Sequence, residues 1–82
     1  MDDIKINGYY RDPLIKTTVI KARYTHVIAV NQCLYRVVRC DVYHQFHGFC
    51  AKDFKEKDFF KFFKPMKTEE AKQLLKAWGY GK

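Results

Sequence analysis

The chain predicts an α+β fold: an antiparallel hairpin or three-stranded sheet packed against one or two C-terminal helices. Three observations predict it. Residues 15–30 are rich in β-branched side chains (Thr17, Thr18, Val19, Ile20, Thr25, Val27, Ile28, Val30), and branching at Cβ suits a pleated surface. Residues 33–47 repeat that character with Tyr35, Val37, Val38, Val42, Tyr43 and Phe46. Near the end, Ala71, Leu74, Leu75 and Trp78 keep the i, i+3, i+4, i+7 spacing of a helix with one apolar stripe.

At the start, Ile4 and Ile6 alternate with polar neighbours and predict a short edge strand before the turn signal Asn7-Gly8. Asp12-Pro13 marks a second turn. Asn31-Gln32 separates the two long strands. Asn tolerates a left-handed backbone, whereas Gln is a poor second residue for a tight turn. A two-residue turn sets Val30 opposite Cys33, Ile28 opposite Tyr35, His26 opposite Val37, Tyr24 opposite Arg39 and Ile20 opposite Tyr43. Those pairs form one face, the expected core. Lys21, Arg23, Thr25 and Arg36 then share the other face with Val19, Val27, Leu34 and Val38. A slip of one residue exchanges the faces.

Residues 52–64 read as a helix. Phe59, Phe62, Phe63 and Met66 follow helical spacing, Asp53 or Asp58 supplies a cap, and Pro65 stops it; a short strand through Phe60 and Phe62 is the alternative. The final helix starts at Thr68 as N-cap, carries Glu69 and Glu70 where the dipole favours negative charge, and ends at Gly79.

The chain of 82 residues is read as one small basic domain, 1–82, with no room for a second core. Its seven Phe, six Tyr and one Trp supply enough apolar area to argue against disorder. Three cysteines, an odd number, and a start of Met1-Asp2-Asp3 predict free thiols in a reducing, cytoplasmic setting with no signal peptide. No apolar run approaches the length of a membrane span, so no membrane partner is expected.

Charge carries the functional expectation. The net charge is +7. Between Asp12 and Asp41 there is no acidic residue, yet Lys16, Lys21, Arg23, Arg36 and Arg39 fall there. A basic hairpin of this kind attracts polyanions or acidic protein patches. Lys21, Arg23, Arg36 and Arg39 are the candidates for gripping phosphates, with Tyr24, Tyr35 or Tyr43 stacking on bases. The leading expectation is therefore a small non-enzymatic nucleic-acid-binding module. The alternative is a protein-binding inhibitor or adaptor, for which Phe60 beside Lys61 and Lys64 is a candidate contact. Small size, a lone domain and no catalytic motif are shared with small phage-encoded proteins that block a host nuclease or defence complex, a comparison of class and not of residues.

Other chemistry is weaker. Cys40, His44, His47 and Cys50 are zinc-ligand types, but all four lie within eleven residues that read as strand, and His47 would point away from the other three. Buried Cys40 and Cys50 with edge histidines is the blander reading, so neither a metal nor another cofactor is expected. Nothing marks Cys40 or Cys50 as a nucleophile. His26 reads as a core-edge or surface histidine. Asp53, Glu56 and Asp58 alternate with Lys52, Lys55, Lys57 and Lys61, the pattern of a solvated helix face.

Overall fold

A computed structural model describes residues 4–80. Five strands and two helices follow one another as β1 (Tyr9–Asp12), β2 (Ile15–Val30), β3 (Cys33–His44), β4 (Gly48–Lys55), α1 (Glu56–Phe62), β5 (Lys64–Met66) and α2 (Thr68–Ala77). The strands form one antiparallel sheet in the order β4-β3-β2-β1-β5. The α+β class is as predicted. The sheet is wider than the hairpin or three strands expected, because residues 48–55 form β4 and Lys64–Met66 form β5.

The long hairpin turns at Asn31 and Gln32, both with positive φ (50° and 67°), and Val30 faces Cys33. Two left-handed residues match the right-handed twist of the strands they join. The predicted register holds from Val30–Cys33 to Tyr24–Arg39 and then fails. Arg23 is an extra residue between Ala22, opposite Cys40, and Tyr24, opposite Arg39. This β-bulge puts Ile20 opposite Val42 and not Tyr43, and reassigns the faces below it.

One face buries Ile20, Ala22, Val38, Cys40 and Val42 beneath Phe59 and Phe63, with Tyr10 beside them. This face, not the one carrying Ile28 and Tyr35, holds the larger core. Tyr10 meets Phe59 edge-on at 4.8 Å between ring centroids, and its hydroxyl accepts the Lys5 N–H at 2.9 Å. The opposite face buries Val19 against Ala71 and Leu75, flanked by Tyr9, Tyr43, Met66, Leu74, Trp78 and Tyr80. Neighbouring strand residues point to opposite sides, so Val19 and Ile20 place α2 and α1 on opposite faces. β5 carries the chain around the β1 edge between them. Pro65 fits there because an edge strand tolerates a missing N–H.

At the N-terminus the strand follows Asn7-Gly8 and does not precede it, so Ile4 and Ile6 lie outside β1. Gly8 is required by contact: a Cβ there would sit 2.9 Å from the Lys5 carbonyl oxygen. The Asp12-Pro13 turn forms as predicted, with the Leu14 N–H donating to Asp12 Oδ1 at 2.9 Å. In α2 the N-cap is Lys67, and Thr68 is the first helical residue. The C-terminus is a Schellman motif: Gly79, at φ 93°, donates to the Lys76 carbonyl and Tyr80 to that of Leu75.

Candidate binding surface

The bulge decides where the hairpin cations go. Strand partners share a face. Lys21 is opposite Asp41 and Tyr24 opposite Arg39, so these lie on the α2 side. Arg23 joins them, with Nη1 3.5 Å from Asp41 Oδ2. Arg36 is opposite Val27, in line with Val38, and so lies on the α1 side. The expected single basic face of Lys21, Arg23 and Arg36 is therefore divided, since one extra residue inverts the alternation between positions 21 and 36.

The arginines also have carboxylate neighbours. Arg39 Nη1 is 3.3 Å from Asp53 Oδ2, and His26 Nε2 is 3.3 Å from the other oxygen of the same carboxylate. Arg36 Nε is 3.0 Å from Glu56 Oε2. Asp53 and Glu56 come from β4 and the start of α1, elements that bring acid back to a hairpin free of it between Asp12 and Asp41. Lys21 stands over the Tyr9 ring at 5.6 Å and Lys55 over the Tyr35 ring at 4.5 Å. Such exposed pairs contribute about 0–1 kcal/mol each, so they fix orientation more than stability.

Beyond the row His26–Val37–Lys55, β2 and β3 pair only with each other among the described residues. Residues 27–36 thus form a two-stranded arm at one end of a molecule measuring 43 × 26 × 23 Å. From Tyr24 to Tyr35 the sequence has no Asp, Glu, Lys or Arg. On the α1 side the arm presents Val27, Ala29 and Leu34, with Val27 60% and Leu34 75% exposed, and Arg36 at its root. Its other side carries Ile28, Val30, Cys33 and Tyr35. The sequence held the signal for this surface, a run of β-branched residues without charge, but the two faces of a strand buried on both sides look the same.

The Phe-rich segment is arranged differently from expectation. Of Phe59, Phe62 and Phe63, the stripe expected to face the core, Phe59 and Phe63 are buried and Phe62 is not. Phe60 is half-buried and meets the Tyr10 ring at 6.1 Å, while Phe62 is 58% exposed. The helix is short and begins only at Glu56, which turns position 60 toward Tyr10. Lys61 is 3.6 Å from Asp58 and Lys64 is exposed in β5. A second exposed apolar group lies at the other end of the sheet, with Leu14 and Ile15 after the first turn and Phe46 and Phe49 around the β3–β4 turn.

Among the described residues no three of His, Cys, Asp and Glu are grouped to hold a metal ion. Cys40 is fully buried, whereas Cys50 and Cys33 are exposed and His44 and His47 are 6.4 Å apart between ring centroids. Burial pushes the Cys40 thiol up to about 12, and Asp41 and Asp53 add to the effect. A thiol so held stays protonated and supplies no nucleophile at neutral pH. No described helix is long and apolar enough to cross a membrane. Compared with family models, curated proteins and solved structures, the chain matches none.

Proposed function

We propose that the chain is a non-enzymatic protein-binding module of the inhibitor or adaptor kind, which docks the α1-side face of its β2–β3 arm on a partner protein. The apolar arm, free of Asp, Glu, Lys and Arg beyond Arg36 at its root, carries this reading. Scattered exposed apolar side chains are ordinary, but Val27, Ala29 and Leu34 adjoin one another on one face of the ribbon and are all exposed. On this face Arg36 stands at the root of the arm beside Glu56, and Lys52 lies further along the sheet, opposite Cys40. A contact with an apolar centre and a basic rim fits an apolar partner surface bordered by acidic residues. A chain of net charge +7 is no mimic of nucleic acid, so an inhibitor of a nuclease or defence complex would engage an acidic patch of it.

The test is affinity capture from nuclease-treated lysate with the wild-type chain and Leu34→Asp. Retention by the wild type and loss with the variant supports the reading. Capture that disappears with the nucleic acid removes it.

Nucleic-acid binding is the second reading, supported by Lys21, Arg23 and Arg39 sharing one face with Tyr24. Their ion pairs are weak enough to exchange for phosphates. Affinity for DNA or RNA across a salt series decides it: neutralising Z phosphates gives a slope of about −0.9Z for duplex DNA and about −0.7Z for single strands. A flat response removes this reading.

A further inference from the structure

We infer that the free edge of β2, Tyr24–Val30, pairs antiparallel with the same edge of a second copy of this chain, joining two arms into one four-stranded sheet. The inference concerns the edge of the arm, whereas the proposed partner contact uses its face, so the two stand separately.

β1 covers the outer edge of β2 only as far as Lys21, and the segment before it reaches Ala22, whose N–H and C=O bond Gly8 and Asn7. From Tyr24 onward no described strand covers this outer edge of β2, opposite the one paired with β3. The uncovered segment reads Tyr-Thr-His-Val-Ile-Ala-Val: high β propensity, no Lys, Glu or Asp, no Pro and no Gly. Proteins blunt exposed edges with charge, Pro or short strands. The two outermost edges of this sheet follow that rule. β4 shows Lys52, Asp53 and Lys55, and β5 is three residues long with Lys64 and Pro65. Only the arm carries a long edge with none of these devices among the described residues.

The edge admits a second copy because it carries no Asp, Glu, Lys or Arg. Two bodies of net charge +7 repel. The uncharged arm is the place where two copies meet without opposing like charges, and end-to-end pairing holds the charged bodies apart. Full overlap of the seven residues centres the two-fold axis on Val27. Thr25 then faces Ala29 of the other copy, His26 faces Ile28 and Tyr24 faces Val30, with no like charges opposed. A two-fold axis perpendicular to the sheet keeps each face on its own side. Val27, Ala29 and Leu34 of both copies therefore form one broader apolar platform. The contact is small beside the ~1,200–2,000 Å² of stable interfaces, so the dimer is reversible.

Sedimentation of the full chain from about 1 µM to about 1 mM, a range that spans weak association, tests this. The wild type should pass from monomer to dimer. Val27→Lys and, independently, Thr25→Lys should weaken the dimer at least tenfold with an unchanged far-ultraviolet circular dichroism spectrum. Leu34→Asp should leave it intact, which separates this result from loss of partner capture. Mixing Val27→Lys with Val27→Glu should restore a one-to-one dimer. A monomer throughout, a dimer indifferent to both lysine variants, or growth beyond two copies overturns the inference.

Discussion

Arg36 Nε lies 3.0 Å from Glu56 Oε2, tying the last charged residue below the arm to the first residue of α1. Glu56 thus holds Arg36 on the α1 side, away from Lys21 and Arg23, at the border between apolar arm and basic body. Such a charge at a contact rim acts mainly on association rate. Arg36→Ala should slow association with a captured partner, lower its salt dependence and leave dissociation nearly unchanged, measured by surface plasmon resonance. Folding stability should fall as well, because Glu56 Oε2 is buried and loses its guanidinium neighbour.

Phe59 and Phe62 occupy one short helix with opposite fates. Phe59 is fully buried against Tyr10, Phe54 and Phe63. Phe59→Ala should cost about 3–5 kcal/mol through lost contacts and the cavity left behind. Phe62→Ser should stay within about 0.5 kcal/mol, as exposed substitutions do. Urea denaturation of both variants gives the comparison.

Burial raises the Cys40 thiol from its ordinary 9.0 to about 12. In the unfolded chain it ionises near its ordinary value. Its contribution to stability is fully present below pH 9 and is lost as pH rises from 9 toward 12. Cys40→Ala should flatten that alkaline decline. In native protein at pH 8, a thiol reagent should label the exposed Cys33 and Cys50 promptly and Cys40 only on unfolding, read by mass spectrometry.

Gln32 holds a φ of 67° that side chains adopt at a cost. Gln32→Gly should stabilise the hairpin by about 0.5–1 kcal/mol in thermal or urea unfolding, since glycine takes this conformation freely. The substitution alters the tip of the arm but not its apolar face, so partner capture should survive it.

Much of this fold was legible in the residues. β-branched runs marked β2 and β3, the Ala71–Trp78 stripe marked α2, and Asn31-Gln32 marked the turn. β4 was hidden because Lys52, Asp53 and Lys55 read as a charged helix face, when they are exposed residues on the two faces of an edge strand. The bulge at Arg23 was hidden for a different reason. An extra residue leaves no mark on composition or periodicity, yet it moved Lys21 and Arg23 to the side opposite Arg36. The candidate surface depended on that register. A charge-free run from Tyr24 to Tyr35 was visible, but whether it was core or arm turned on how far β4 reached along β3, which ends at Val37.

The central claim is that the arm's apolar face makes the functional contact. Capture from nuclease-treated lysate by wild-type and Leu34→Asp chains, compared protein by protein in quantitative mass spectrometry, tests it most directly. The account predicts a partner held by the wild type and reduced at least tenfold by the variant, with both chains equally folded. Equal capture by the two chains would contradict it.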